Sequence, residues 1–580
     1  MSYAIRRQLS NEEQAKLAGF SPLLAHLLHH RGLTDVETAQ KFLTPDYVRD
    51  THDPFLLKDA EKAATRIIQA IQNDERIAIY ADYDADGIPG AVIWNDFFKR
   101  IGFKNFSIYI PHRHDEGFGL NIAAVDHLAL HDAVELLITV DCGISDVKPV
   151  ERANELGMEV IITDHHEPPV SPSTGRESLP PAFAVIDHKQ VDCAYPDKNI
   201  CGSGVAFKLI QAILKKERFD LKDGHEKWLL DMVGIATLSD MVPLVGENRV
   251  FAYYGLQVLR KSPRKGLICL LEKLKIAKQH LTEDDIAFMV TPRINAASRM
   301  GLPMDAFSLL AADNDADARK FADHLDAINN ERKGVVASLV KEVKKTLHGR
   351  HGHDAAAFPS VIVLGNPEWR PSLLGLVANT CAGEFSRPVF LWGRDGDNAI
   401  KGSCRSEGQS NVVELMRVVP AGVLTQFGGH RYSGGFAVAN ESVHFLEKHL
   451  TDAAEKVANI PMVDEEMIDA ELSIDDVDWN LQKDINKLAP FGTGNPKPVF
   501  LFKKVSPISV RRFGKGNEHI ELIFKKKNGV KIPAISFFGI ENEWAKKVEA
   551  NKPVDLIASV EKSMFRGRAE LRLRVVDICA

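Results

Sequence analysis

Between residues 56 and 190 short apolar runs alternate with amphipathic stretches. KDAEKAATRIIQAIQ (58–72) repeats its apolar positions at helical spacing, and IAIYAD (77–82) follows as a compact apolar run, which predicts a buried strand. VELLITVD (134–141), MEVIITD (158–164) and AFAVID (182–187) repeat that run, with helical segments between most of them. Strands alternating with helices predict a doubly wound parallel α/β sheet. All four runs end in an aspartate: Asp82, Asp141, Asp164 and Asp187. Ligands of open α/β sheets bind outside the carboxyl ends of the strands, so the pattern delivers four carboxylates to a binding edge.

The pattern changes along the chain. Residues 1–55 read as short helices with a Pro/Asp-rich exit, and 56–312 as the first α/β domain, mainly helical after residue 202. The stretch from Asp313 to His348 has the i, i+4 charge pairing of a long exposed helix, and 313–355 reads as connecting helix plus linker. A second α/β domain, 356–462, begins at SVIVLGN (360–366) and continues through PVFLWG (388–393). From 463 to 580 short β runs predominate: PVFLFKKV, HIELIFKK, VKIPAISFFG, VDLIASVEK and AELRLRVVDI. Five such strands fit a small barrel of the OB type. Phe537 and Phe538 are expected in its core.

Composition adds two constraints. With 45% hydrophobic and 26% charged residues the chain is of ordinary globular type. No apolar run approaches the roughly 18 residues that span a bilayer. The opening MSYAIRRQLSNEEQ lacks the apolar core of an export signal, and the seven cysteines form no C-x-x-C pair. A cytoplasmic location with reduced thiols is expected, without a membrane. The net charge of −7 hides an asymmetry: residues 497–580 hold 18 basic against 9 acidic side chains, a net of +9, which leaves −16 for the rest. A basic module on an acidic body suggests a nucleic-acid grip set apart from the chemistry.

The chemistry concentrates in two short strings. Asp82-Tyr83-Asp84-Ala85-Asp86-Gly87 mimics a calcium loop, but position 12 of such a loop would be Ile93, and a strand precedes it. A tight acidic turn at a strand end remains. Asp164-His165-His166 ends another strand and adds imidazoles. With Asp84, Asp86, Asp141 and Asp240, this mixture of oxygen and nitrogen suits Mn²⁺ or Mg²⁺. It has more ligands than one ion needs. Two ions, roughly 3.5–4 Å apart, would use them all and support in-line displacement at phosphorus without a covalent intermediate.

These strings, together with ITVDCGIS around Asp141 and ATLSDMVPLVGENR around Asp240, resemble the four motifs of the DHH phosphoesterase superfamily. CGSGVAFKL, TPRINAASR, NNERK, KGSCRS, FGGHRYSGGF and LAPFGTGNPKPVF extend the resemblance to its single-stranded-DNA-specific exonucleases, from about residue 75 to 580. The resemblance implies a DHH domain, a long connecting helix, a DHH-associated domain and an OB-fold. It implies Mn²⁺ or Mg²⁺ dependence and 5′-to-3′ release of mononucleotides in DNA repair and recombination. By motif match, Asp84, Asp86, Asp141, His165 and Asp240 are implied as direct ligands. Asp82 and Asp164 are implied as ligands or ligand-orienting groups, and His166 as a contact to the scissile phosphate. Arg299, Ser403, Arg405 and the Gly428-Gly429-His430 turn lie in segments similar to the family's phosphate-gripping parts, with Arg113 as a further candidate. In the basic module Arg511, Arg512, Phe513, Lys515, Phe565, Arg566 and Arg568 combine cations with aromatic faces.

The expected substrate is single-stranded DNA with a 5′ phosphate. A single-strand-binding protein and a helicase are the expected partners, and a monomer the expected state. Two other readings remain open: a DHH phosphodiesterase on short oligonucleotides or cyclic dinucleotides, and an inactive DNA-binding relative. Three departures from the family pattern are Pro89 after D-G-I, Ser298 in place of glycine, and Trp369-Arg370-Pro371-Ser372 in place of W-H-x-G. None removes a proposed metal ligand, so an active enzyme is expected.

Overall fold

The computed structural model describes residues 3–171, 174–354, 357–394, 399–408, 410–457, 466–514, 516–564 and 568–579. The chain divides into two compact units, one of residues 52–242 and 254–462, the other of 1–51, 243–253 and 463–580.

The first unit opens on a five-stranded, wholly parallel sheet. Its strands are β1 (Ile77–Ala81), β2 (Phe106–Tyr109), β3 (Leu136–Val140), β4 (Glu159–Thr163) and β5 (Ala184–Ile186), in spatial order β2-β1-β3-β4-β5. β1 and β3 are buried along their whole length, which is why they read as continuous apolar runs. The direction of winding reverses between β1 and β3, and such a switch point opens a crevice at the carboxyl edge. The register then lines up the strand ends. Ala81 pairs with Val140, Val140 with Thr163 and Thr163 with Ile186. The next residue of each strand is one of the four aspartates. Asp82, Asp141 and Asp164 continue the ladder, donating N–H to Val140, Thr163 and Ile186 carbonyls at 3.0–3.1 Å.

Helix α1 (Gly87–Ile101) follows β1 directly and buries Trp94, Phe97 and Phe98. Each such aromatic contributes about 2–3 kcal/mol through burial. Gly102, at φ 77°, ends the helix, its N–H returning to the carbonyls of Lys99 and Phe98. Pro89 sits in the first turn of α1, where a missing N–H breaks no helical bond. α2 (Gly202–Lys216), α3 (Leu230–Ser239) and α4 (Thr291–Met300) complete the site side of this lobe. The last is preceded by one π-helical turn, Ile286–Val290.

The long helix α5 runs from Asp315 to His351. At 1.5 Å per residue its 37 residues span about 55 Å. It extends three residues past the expected end at His348, and Phe358 is buried in the next core. That core lies around a second sheet of β6 (Ile362–Gly365), β7 (Val389–Arg394), β8 (Ile400–Arg405), β9 (Leu424–His430) and β10 (Ser433–Val438), ordered β9-β10-β8-β7-β6. Only β6 and β7 are parallel. α6 (Pro371–Phe385) joins them.

The other unit holds a mixed seven-stranded sheet of β11 (Ala470–Glu471), β12 (Phe500–Val505), β13 (Ser509–Phe513), β14 (His519–Lys525), β15 (Lys531–Ser536), β16 (Val554–Ser563) and β17 (Glu570–Cys579). Its order is β11-β12-β16-β17-β15-β14-β13. The five expected strands are present, with two additions. SVRRF was missed because adjacent arginines break its apolar alternation, and Ala470–Glu471 is too short to carry a period. The N-terminal helices pack here: Leu24, Leu27 and Leu28 share a core with Phe500, Leu522 and Leu573. Tyr3–Ile5 pairs in parallel with Glu466–Ile468. Phe537 and Phe538 are not core residues but 38% and 68% exposed. They lie just beyond β15, whose buried run ends at Ser536.

Candidate metal centre and phosphate pocket

The acidic turn after β1 is tightly wound. Asp84 Oδ1 accepts the N–H groups of Asp86 and Gly87 at 2.7 and 3.2 Å, and Asn295 of α4 accepts the Ala85 N–H at 3.0 Å. A Cβ on Gly87 would lie 2.3 Å from the Asp82 carbonyl oxygen, so only glycine fits. The Asp86 carboxylate takes the first amides of α2, Gly202 N–H at 2.7 Å and Ser203 N–H at 2.7 Å. A helix N-terminus stabilises the anionic form there. Burial and the neighbouring Asp84 charge nevertheless push Asp86 up to about 6.

Asp141 leaves β3 with φ 63°, a left-handed conformation that aspartate tolerates better than most residues. Gly202 makes room for it, since a Cβ there would sit 2.6–2.8 Å from Asp141 side-chain atoms. His165 Nε2 lies 3.1 Å from Asp141 Oδ1, and 3.8 Å from both Asp86 and Asp240 carboxylates. Asp240 caps the C-terminus of α3, where the helix dipole adds nothing favourable to a carboxylate.

Asp164 plays a different part. Its Oδ2 accepts Ile144 N–H at 3.0 Å, while Oδ1 accepts His165 N–H at 2.7 Å and lies 2.7 Å from His166 Nδ1. Both oxygens are engaged by protein. Burial opposes its charge, yet the His166 contact prevails and draws it down to about 2. His166 is correspondingly raised to about 9 despite burial, through its bond to Asp164. Burial and the adjacent His166 push His165 down to about 3, which leaves it neutral.

Candidate ligand atoms converge in three groups: Asp82, Asp84 and Asp141; Asp86, His165 and Asp240; and Asp141, His165 and His166. In each, the atoms lie within 4.8 Å of one another. Asp82 Oδ1 and Asp141 Oδ1 are buried without a hydrogen-bond donor. Burial and mutual repulsion hold Asp82, Asp141 and Asp240 well above the usual carboxylate range. A dense set of buried carboxylates with orphaned oxygens is unfavourable alone and fits a hard divalent cation. Asp187 reaches the same edge but joins none of these groups; its Oδ1 accepts the Lys189 N–H at 2.7 Å.

A basic pocket shares this unit. Arg299 of α4 donates through Nη1 to the Ser372 carbonyl at 2.7 Å, and Ser372 Oγ donates back to the Arg299 carbonyl at 3.2 Å. Two of the departures thus meet at this arginine, because Ser298 lies buried beside it with Oγ 3.3 Å from the Asn295 carbonyl. Gly375, in α6, faces Arg405 and Ser403: a Cβ there would be 2.9 Å from Arg405 Nη2 and 3.6 Å from Ser403 Oγ. The register of the second sheet sets Ser403 beside Gly435 and Gly428, and Gly429 opposite Gly434. The side chain of His430 lies outside the described residues. Arg113 stacks over the Tyr83 ring at 4.8 Å. Arg299 is drawn down to about 9 by burial and by Arg113, Arg332 and Arg405. Among the described residues no carboxylate pairs with these four arginines. Such a cluster is a receptor for an anion.

Sequence reasoning missed two members. Arg332, on α5, carries a buried Nε without a partner; the NNERK string was visible but gave no role. Phe118 is half exposed, its ring 5.6 Å from His166, and no periodicity singles it out. Of the basic-module residues, Arg511 and Arg512 are exposed on β13, and Arg511 pairs with Glu521 at 2.8 Å. Lys515, Phe565 and Arg566 lie outside the described residues.

Comparison with known proteins agrees with this architecture. Residues 76–237 match the DHH family, N-terminal domain, 358–460 the DHHA1 domain, and 468–577 the RecJ OB domain. The single-stranded-DNA-specific exonuclease RecJ of Bacillus subtilis is 32% identical over 560 residues, 96% of this chain and 68% of the relative. That of Haemophilus influenzae is 30% identical over 96% of this chain and 95% of its own length. The crystal structure of Thermus thermophilus RecJ in complex with Mn²⁺ superposes with a TM-score of 0.80 at 25% identity, covering 100% of this chain and 79% of that one. A crystal structure of exonuclease RecJ bound to manganese is 30% identical and covers 70% of this chain and 96% of that one, with a TM-score of 0.57. With this sheet order, this acidic edge and these matches along nearly its whole length, the chain belongs to the RecJ family of DHH proteins.

Proposed function

We propose that the protein is a metal-dependent exonuclease that hydrolyses single-stranded DNA from a 5′-phosphorylated end, releasing mononucleotides in repair and recombination. One observation carries this reading: a buried carboxylate–imidazole cluster fit for divalent cations shares a unit with arginines that lack carboxylate partners. Asp82, Asp84, Asp86, Asp141, His165 and Asp240 would hold two ions, Mn²⁺ or Mg²⁺. When bound, such ions acidify a water and neutralise charge on the phosphoryl oxygens.

The chain's own residues supply the remainder. Asp164 locks the DHH turn by accepting the amides of His165 and His166 and fixes His166 by Nδ1, so that Nε2 is the atom available to a phosphate oxygen. Arg299, Arg405 and Ser403, with Arg113, bind the terminal phosphate and set which phosphodiester reaches the cluster. Phe118 offers a flat apolar face to the terminal base.

The test is a 5′-phosphorylated single strand incubated with Mn²⁺ and wild type or Asp141→Asn. The wild type should shorten the strand from its 5′ end only. The variant should lose roughly 10³-fold in rate, about 4 kcal/mol of transition-state stabilisation. Equal rates would refute the role of the cluster. A higher kcat/KM on a dinucleotide than on the long strand would replace the proposed substrate.

A further inference from the structure

We propose that a cleft at the end of α1 remote from the acidic edge is a second binding site, for a nucleoside monophosphate, with the base laid on Trp228 and the phosphate held by Arg100 and Lys261. The cleft's own chemistry selects this ligand, independently of the exonuclease reading.

The cleft has a volume of about 640 Å³, within the roughly 300–1,000 Å³ common for small-molecule sites. The last turn of α1 lines it with Lys99 and Arg100, and one 3₁₀ turn, His225–Leu229, lines it on the way into α3. The turn Lys261–Lys265 and residues 310–313 complete it. Helix α1 starts beside Asp86 in the acidic turn and reaches Arg100 about 20 Å further on. Helix α3 runs the other way, with Asp231 at the cleft and Asp240 at the acidic edge. The cleft is therefore separate from the metal centre but shares two helices with it.

Its acidic groups are already engaged. Arg264, only 11% exposed, donates to Asp231 at 2.6 Å and to Asp96 at 2.7 Å, and the Ser262 hydroxyl donates to Asp231 at 3.0 Å. Lys99 pairs with Asp313 at 2.8 Å, and Lys265 with Asp315 at 3.1 Å. The acids flanking His225, Asp223 and Glu226, lie 3.4 and 3.7 Å from Arg218. Among the described residues Arg100 and Lys261 form no hydrogen bond or ion pair. One unpaired surface cation is ordinary. Two that line the same cleft, a guanidinium fork and an ammonium, match the charge of a phosphate monoester.

Trp228 supplies the other half of the site. It is 44% exposed, whereas the next two residues, Leu229 and Leu230, are 2% and 1% exposed. Among the described residues no ring or cation stacks on its indole. A base stacks on such a face whatever its identity. His225 is half-buried, and burial and the Arg100 charge hold it below its ordinary value. It is therefore neutral at pH 7 and able to hydrogen-bond a sugar hydroxyl or a base edge.

The combination narrows the ligand. Inorganic phosphate would leave Trp228 unused, and a nucleoside would leave both cations unused. A polynucleotide backbone calls for a row of cations along an open groove. Here only two are unengaged, and the Lys99–Asp313 pair joins two of the walls. A nucleoside monophosphate uses the indole and both cations.

The experiment is isothermal titration calorimetry of the full chain in EDTA, with deoxyadenosine 5′-monophosphate, deoxyadenosine and inorganic phosphate as probes. The monophosphate should bind the wild type at least about 10-fold more tightly than either half. Trp228→Leu and the double variant Arg100→Gln/Lys261→Gln should each raise its dissociation constant about 10-fold or more. Arg405→Gln, which weakens the other anion pocket, should leave that constant within about 2-fold. Melting temperatures of the cleft variants should stay within about 2 °C of wild type, because the three side chains are exposed. No binding of the monophosphate, equal affinity for inorganic phosphate, or a loss confined to Arg405→Gln would overturn the site. A wild type that binds the monophosphate in the cleft but hydrolyses no single strand would retain the site and defeat the exonuclease reading instead.

Discussion

Asp164 and Asp141 show how similar residues at neighbouring strand ends acquire different tasks. Asp141 keeps an orphaned Oδ1 aimed among candidate ligands, whereas Asp164 spends both oxygens on Ile144, His165 and His166. Asp164→Ala should therefore lower kcat by roughly 10²-fold while Mn²⁺ affinity, read by isothermal titration calorimetry, changes far less than in Asp141→Ala. Comparable loss of Mn²⁺ binding in both variants would instead make Asp164 a ligand. Asp187 offers a test of pH dependence away from the ligands. Burial raises it to about 8 from an unfolded value near 3.8, so the folded state holds its proton more tightly. Its contribution to stability is full below about pH 4 and is lost as pH rises toward 8. Asp187→Asn, melted in EDTA, should gain several degrees on the wild type between pH 5 and pH 8; a pH-independent difference would reject the shift. Strand-end position alone makes the four aspartates equivalent; the motif resemblance set Asp141 apart from Asp82 and Asp164, but the contacts that give each its task were not legible in the sequence.

Among the elements, α2 and α3 contribute most to the centre without owning its signature. The N-terminus of α2 holds Asp86, and its first residue, Gly202, leaves space for Asp141. Gly202→Ala would drive a Cβ into Asp141, and the expected result is an enzyme that folds but loses roughly 10²-fold or more in kcat. Circular dichroism with a Mn²⁺-dependent nuclease assay separates that outcome from unfolding. Helix α3 is held at its other end by Asp231, which accepts from Arg264 at 2.6 Å, while Arg264 also pairs with Asp96 of α1 at 2.7 Å. Arg264→Ala leaves two largely buried carboxylates unpaired, and urea unfolding should register a loss of about 3–5 kcal/mol. The sequence made the helix Ala60–Gln72 visible through its apolar spacing and the long α5 through its charge pairing. It did not show β13, whose two arginines mask a strand, or the outward turn of Phe537 and Phe538.

For the whole molecule, the sequence predicts a division of labour through charge, with +9 confined to residues 497–580. Hydrolysis of a long strand should accordingly show a KM that climbs steeply with salt, while a dinucleotide, too short to reach a backbone grip, should show a shallow dependence. Equal slopes for both substrates would deny the module a role in capture. No helix of the described residues is long and apolar enough to cross a membrane. The sequence by itself determined the parallel sheet, the acidic strand ends and the metal chemistry, because those follow from short-range periodicity and residue type. Tertiary structure alone decided the candidate ligand groups, the meeting of Arg299 with Ser372, the seating of residues 1–51 with the C-terminal sheet, and the exposure of its aromatics. Those depend on contacts between residues far apart in the chain, which no local pattern encodes.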